Sequence, residues 1–205
     1  MGPSKRRFVF PFLALAALAG LTGCLKVTLV EDYDAVIDKG LHSYDESING
    51  FLNRMERMNE EDAGSYSKNP EIPEFYAEQL GKLEALEDRA EVLGGRECLP
   101  SVWGSEGVEW LLDQTMDLME DYKDEDLVDD VYKGLRELQD QEADSYKGKS
   151  CTQIVLQVVA ANHRLLELIH KDEDRFLPEV ASPARGLVRQ GVRIAMRNET
   201  AKKRE

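Results

Sequence analysis

The chain has 205 residues, enough for one domain with a substantial hydrophobic core. Its 40 Asp and Glu residues against 26 Lys and Arg give a formal net charge of −14, and so acidic a chain lacks the basic surface that general nucleic-acid binding requires. With 42% hydrophobic and 32% charged residues, and only three Cys and three His, the composition excludes a multispan membrane protein, a disordered chain and a multi-cysteine zinc module.

The amino-terminal segment has three zones in the order of an export signal. Lys5, Arg6 and Arg7 form a positive stretch, an apolar run follows over residues 8–21, and small residues lead up to Cys24. The apolar run is too short for a membrane-spanning helix, which needs about 20 residues. The segment is therefore predicted to be a cleaved signal peptide.

The end of this segment resembles the lipobox of bacterial lipoproteins, here Leu21-Thr22-Gly23-Cys24. The resemblance implies that residues 1–23 are removed, that the Cys24 thiol receives a diacylglycerol, and that the new amine is often acylated too. Residues 24–32 would then be a lipidated cysteine with a short tether. Leu25 stands where an Asp favours inner-membrane retention in this family, which indicates the periplasmic face of the outer membrane. An uncleaved hairpin or amphipathic start is the alternative.

The charge of the mature chain is unevenly distributed. Removal of the signal takes away three positive charges and no negative ones, so the net charge changes from −14 to −17. Residues 31–178 carry a net charge of −22, whereas residues 183–205 carry +5. This asymmetry predicts an acidic body with a basic carboxyl-terminal helix.

Cys98 and Cys151 are left as a pair once Cys24 is lipidated. Export would place both in a compartment that permits disulfides, so a bond between them is expected, with two buried free thiols as the alternative. The chain-entropy model gives such a bond about 4 kcal/mol of stabilisation. A redox-active pair is disfavoured, because the chain has no Cys-x-x-Cys motif.

The first two helices are predicted over about 32–62 and 73–93. In the first, apolar residues recur at alternating steps of four and three from Ile37 to Met58, which is a heptad seam that requires partner helices. The second follows two prolines and ends at Gly94-Gly95, where a left-handed cap is expected.

The rest of the chain is also predicted to be helical. A third region gives either one kinked helix or two helices, about 106–122, after Ser105 as a candidate N-cap, and 126–145. A strongly apolar helix begins near Ser150 and is expected at the centre of the fold.

Pro178 and Pro183 are predicted to interrupt the chain before a last helix over 183–200. No segment shows the sustained alternation of a strand, so the prediction is an all-α helical bundle of about five to six helices. The bundle would form one domain over residues 33–205.

One helical face carries a partial metal-binding pattern. Glu167 and His170 have the Glu-x-x-His spacing of di-iron bundle proteins, and His163 lies on the same face. A complete site needs a second such motif and two further inward glutamates, but the chain has only one Glu-x-x-His. A solvated polar face is therefore preferred, no cofactor is predicted, and a helical metal-binding protein using these three residues is the alternative.

An acidic segment over residues 113–144 raises the question of calcium. It lacks the Gly and terminal Glu of an EF-hand loop, so a solvated face is preferred. The chain has no Gly-x-Ser-x-Gly, Gly-rich phosphate loop or His-Glu-x-x-His, and no catalytic residues are assigned.

The last helix carries a basic stripe that recurs every four residues, Arg185, Arg189, Arg193 and Arg197. Arginine binds phosphate through two hydrogen bonds at once, so one interpretation is contact with an anionic lipid surface. The other, which is preferred, is docking onto the acidic body.

These patterns together predict a lipid-anchored protein of the bacterial cell envelope that is not an enzyme. It would be a binding or structural component, with the membrane as one partner through its lipid and an unknown envelope protein as another. The alternative remains the metal-binding protein described above.

Overall fold

The computed structural model describes residues 33–58, 62–94, 98, 108–120, 132–133, 135–136 and 148–202. Within these ranges the chain forms five α-helices and no strand, which confirms the predicted all-α bundle. The helices are α1 (Ala35–Arg57), α2 (Glu71–Leu93), α3 (Val108–Glu120), α4 (Cys151–Asp172) and α5 (Pro178–Lys202), with a 3₁₀ turn at Asp62–Gly64.

Helices α1, α2, α4 and α5 form a bundle, and the shorter α3 packs against α4 and α5. The start of α1 meets the ends of α2 and α5, because Asp34 binds Arg89 at 2.8 Å and its backbone N–H donates to Glu199 Oε2 at 3.2 Å. The other end of α1 meets the start of α5, where Arg185 pairs with Glu56. Helix α1 is therefore antiparallel to both neighbours. We call the first of these two ends the Asp34 end.

Local capping explains where the helices begin and end. The Asp34 carboxylate accepts hydrogen bonds from the backbone N–H groups of Val36 and Ile37 at 2.7 and 3.0 Å, and the hydrogen bond from Arg89 holds the pKa of this carboxyl below its ordinary value. Ser150 caps α4 by accepting from the backbone of Gln153. Helix α2 ends at Gly94, whose φ of 64° lies in the left-handed region that favours glycine, as predicted.

Helix α4 lies at the centre of the fold, as its apolar sequence predicts. It packs against α2, α3 and α5, and most of its side chains are buried. Gly191 of α5 permits a close approach: a Cβ at this position would lie 2.8 Å from Val159 Cγ2 and 3.2 Å from Leu111 Cδ2. The two helices can reach this separation only because position 191 has no side chain.

Cys98 and Cys151 lie at disulfide distance, with their Cα atoms 4.7 Å apart, within the range a disulfide requires. The backbone N–H of Cys98 also donates to the Lys149 carbonyl at 2.9 Å. The pair links the chain beyond α2 to the start of α4, and this confirms the expected pairing of the two cysteines.

The predicted helix boundaries need two corrections. Helix α1 ends at Arg57, earlier than expected, and α5 begins at Pro178 and contains Pro183, so the predicted interruption between them is wrong. Proline at the first helical position costs no hydrogen bond, since a backbone N–H at this position has no partner within the helix. Pro183 removes one hydrogen bond, and the burial of Ala184 and Val188 just beyond it favours the continuous helix.

Three predicted features lie largely or wholly outside the described residues. Most of the predicted helix over 126–145 is among them, although 132–133 and 135–136 are helical. The candidate N-cap Ser105 and the lipidation residue Cys24 also lie outside them.

Candidate functional site

Two histidines of α4, His163 and His170, are fully buried in the core, so the preferred prediction of a solvated polar face is wrong for both. His163 Nε2 lies 2.9 Å from the carbonyl oxygen of Tyr76, and its Nδ1 lies 3.0 Å from the hydroxyl of Tyr44. Because a carbonyl oxygen can only accept, Nε2 carries the proton, and Nδ1 accepts the hydrogen bond from Tyr44. The surrounding helices therefore select one neutral tautomer of His163.

His170 repeats this arrangement two turns further along α4. Its Nε2 lies 3.2 Å from the Gly64 carbonyl oxygen, and its Nδ1 lies 3.2 Å from the hydroxyl of Tyr76. Tyr76 thus serves both histidines, accepting from His163 with its carbonyl group and donating to His170 with its hydroxyl group. We call these four side chains, Tyr44, His163, Tyr76 and His170, the His–Tyr ladder.

Burial keeps the ladder neutral. It lowers the pKa of His163 to about 4, with the nearby charge of Arg164 acting in the same direction, and it lowers the pKa of His170. Burial also raises the pKa of both ladder tyrosines, so their hydroxyl groups stay protonated and remain donors. The rings also meet edge to face, with Tyr76 5.4 Å from His163 and 5.9 Å from His170 between centroids.

Glu167 lies on the same face of α4, as its spacing predicts, but it has a separate partner. Its carboxylate accepts a hydrogen bond of 2.8 Å from the Tyr66 hydroxyl, and burial raises the pKa of this carboxyl. The segment that holds Tyr66 is fixed in turn by Asp174, which accepts from the Ser65 hydroxyl and the Ser67 backbone N–H. These hydrogen bonds lower the pKa of Asp174 to about 2.

These contacts determine what His163, Glu167 and His170 can do in this conformation. All four ring nitrogens of the two histidines have protein partners, and Glu167 is held by a tyrosine rather than by a histidine. Among the residues that the structure describes, no group of three or more His, Cys, Asp or Glu side chains is arranged to hold a metal ion. A metal at this face would have to displace the tyrosine and carbonyl partners.

The arginine stripe of α5 is divided by the fold. Arg185 pairs with Glu56 and donates to Asn53 Oδ1 at 2.6 Å, which is the docking onto the acidic body that the sequence favoured. Arg189, Arg193 and Arg197 are exposed and form no ion pair with a described residue. One arginine is therefore a docking residue, and three face solvent.

A second polar cluster lies at the Asp34 end and was missed by the sequence reasoning. Glu199 is fully buried, and its Oε1 accepts from the Thr152 hydroxyl at 2.8 Å and from Lys202 Nζ at 2.6 Å. A signal was present: Glu199 follows Val188, Val192 and Ala195 at steps of four, three and four, on the apolar face of α5. The pattern shows an acid at a core position but not its partners.

The Asp34 end also exposes apolar side chains. Val36, Val92 and Leu93 have relative exposures of 52, 86 and 52%. Among the helices that the structure describes, none is long and apolar enough to span a membrane.

No protein-family model matches the chain, and searches of curated proteins and of solved structures gave no match either.

Proposed function

We propose that the protein is a lipid-anchored lipoprotein of the bacterial cell envelope, in which residues 1–23 are a cleaved signal peptide and Cys24 carries the lipid. The observation that carries the proposal is the order of three features, namely the positive stretch, the short apolar run and the lipobox-like residues that end at Cys24. Leu25, in place of Asp, favours the outer membrane and its periplasmic face.

The fold supports this proposal in two ways. Helix α1 begins at Ala35, and the ten residues from Cys24 to Tyr33 could span at most roughly 30 Å between the lipid and the Asp34 end. Cys98 and Cys151 also lie at disulfide distance, as suits an exported protein. The bundle would therefore be held close to a membrane surface.

We propose that the bundle acts as a non-enzymatic binding or structural component with a protein partner in the envelope. The buried histidines support a structural role, because their ring nitrogens bond to groups of the chain itself. Crosslinking of the native lipoprotein in intact cells, followed by identification of the captured protein, tests for this partner. Recovery of the lipoprotein alone at every crosslinker length would contradict the proposal that it has a protein partner.

The lipid anchor is tested by metabolic labelling with a palmitate analogue. The wild-type protein should incorporate the label and fractionate with membranes, and Cys24→Ala should lose both properties. Cys98→Ala is the matched control: it removes a cysteine outside the lipobox and should keep the label. Unchanged labelling and membrane fractionation in Cys24→Ala would overturn the proposal.

A further inference from the structure

Exposed apolar side chains are concentrated at one end of the bundle. Among the described residues, four large apolar side chains are at least half exposed, and three of them lie at the Asp34 end: Val36, Val92 and Leu93. The fourth, Trp110, lies on α3. Single exposed apolar residues are ordinary on protein surfaces, but a group on adjacent helix ends is a place where another apolar phase can make contact.

The packing of α1 against α2 places these three residues at the same level of the bundle. Helix α2 runs antiparallel to α1, with Leu86 seated where Gly40 lacks a side chain. Val36 is one turn before Gly40, and Val92 and Leu93 are the last two residues of α2, one to two turns beyond Leu86. We call Val36, Val92 and Leu93 the apolar cap.

Two carboxylates beside the cap are paired within the protein. Asp34 is bound by Arg89 at 2.8 Å, and the fully buried Glu199 is bound by Lys202 at 2.6 Å. Neither carboxylate has to enter an apolar environment without a cation beside it, which would be very costly. These two carboxylates can therefore approach a low-dielectric surface with their cations, whereas the exposed Glu91, one residue before Val92, would have to stay at the level of the lipid headgroups.

The path of the chain selects the surface that the cap would meet. The described chain enters the bundle at Tyr33, beside the cap, and the tether from Cys24 can reach only roughly 30 Å. A lipid at Cys24 would hold the apolar cap near the bilayer at all times, at the high effective concentration of an intramolecular contact.

We propose that the apolar cap seats in the boundary between headgroups and acyl chains of the bilayer that holds the lipid. The bundle then stands with its Asp34 end on the membrane and directs the opposite end, near Glu56 and Arg185, into the aqueous space. This inference rests on the proposed lipid anchor at Cys24. It adds a second membrane contact, made by the folded domain itself, to the acyl chains at Cys24.

The experiment uses the full lipidated protein in phosphatidylcholine–phosphatidylglycerol vesicles. A fluorophore is attached at Val92→Cys, or for comparison at Glu173→Cys, an exposed residue at the end of α4 and the opposite end of the bundle. Lipids brominated on their acyl chains quench only fluorophores that reach the acyl region. We expect several-fold stronger quenching, and a blue-shifted emission, at position 92 than at position 173.

A second variant tests whether the cap acts as a unit. With the fluorophore at Val36→Cys, the added substitution Leu93→Asp should reduce quenching several-fold, since a charge in the cap opposes its entry into the boundary. Both positions are at least half exposed, so the melting temperature should change little and is measured as the folding control.

The outcomes separate this inference from the lipid anchor. Protein that remains acylated and vesicle-bound, with equal weak quenching at both positions, would refute the seating of the cap and leave the anchor intact. A blue shift at position 92 without quenching by brominated lipid would mean that a protein surface, such as a second copy, covers the cap, and this also refutes the inference. Protein that carries no lipid at Cys24 would overturn both proposals.

Discussion

Protonation of His163 should make the stability of the bundle depend on pH. The folded protein holds the imidazole neutral between the Tyr44 hydroxyl and the Tyr76 carbonyl group, and burial lowers its pKa from 6.5 to about 4. As the pH falls below 6.5, the unfolded chain binds a proton at His163 that the folded protein does not bind. The contribution of the neutral His163 to the free energy of unfolding is therefore fully present above pH 6.5. It is lost progressively as the pH falls to about 4. The difference between the two pKa values corresponds to about 3 kcal/mol in the free energy of unfolding.

The assay is urea unfolding at a series of pH values between 7.5 and about 4. His163→Gln keeps an amide donor and an acceptor at the site but cannot take up a proton in this range. The variant should be less stable at neutral pH and should lose about 3 kcal/mol less than the wild type on acidification. The contributions of His170 and of the carboxylates are shared by both proteins, so the difference between the two profiles isolates His163.

His42→Gln is the matched control, because the side chain of His42 is 58% exposed on the surface of α1. His42 lies 3.8 Å from Asp38 on this surface, so its replacement should change the loss of stability on acidification by at most about 1 kcal/mol, far less than the replacement of His163 does. Parallel profiles for wild type and His163→Gln would refute the reasoning, since they would mean that the folded state accommodates the imidazolium as readily as water does.

Three further predictions follow from packing and covalent structure. Gly191→Ala should destabilise the protein by about 1–3 kcal/mol in thermal or urea unfolding, because the new Cβ would overlap a valine methyl of α4. Gly50→Ala, in open space on α1, is the control and should stabilise the protein by about 0.5–1 kcal/mol. Equal effects of the two substitutions would contradict the close approach of α4 and α5. The double substitution Cys98→Ser and Cys151→Ser should lower the free energy of unfolding by about 4 kcal/mol. In a mass spectrum of the digested wild-type protein, the peptides that contain Cys98 and Cys151 should be linked and should separate on reduction. Separate peptides without reduction would disprove the bond. Tyr76→Phe should cost about 1–3 kcal/mol, since it leaves the Nδ1 of the second ladder histidine without a donor, and a loss within error of zero would show that another donor replaces it.

The face of α4 that carries His163, Glu167 and His170 shows how far pattern reasoning reached at the candidate site. Helical spacing placed all three side chains on one side, and the structure agrees, because all three point to partners in α1, α2 or the segment between them. The spacing could not show which groups stand opposite. Tyr44 and Tyr76 fit the apolar seams of their helices in the sequence. The partners of their hydroxyl groups, His163 and His170, are visible only once α1, α2 and α4 are packed together.

Sequence patterns predicted those features of the protein whose causes are local. Helical periodicity, the Ser150 cap and the positive φ of Gly94 depend on residues a few positions away. The register between the helices, in contrast, follows from how distant segments pack together. That register selects the tautomer of His163, gives Glu199 its buried cation and leaves Val92 exposed, because each of these depends on atoms that the chain brings together from distant positions.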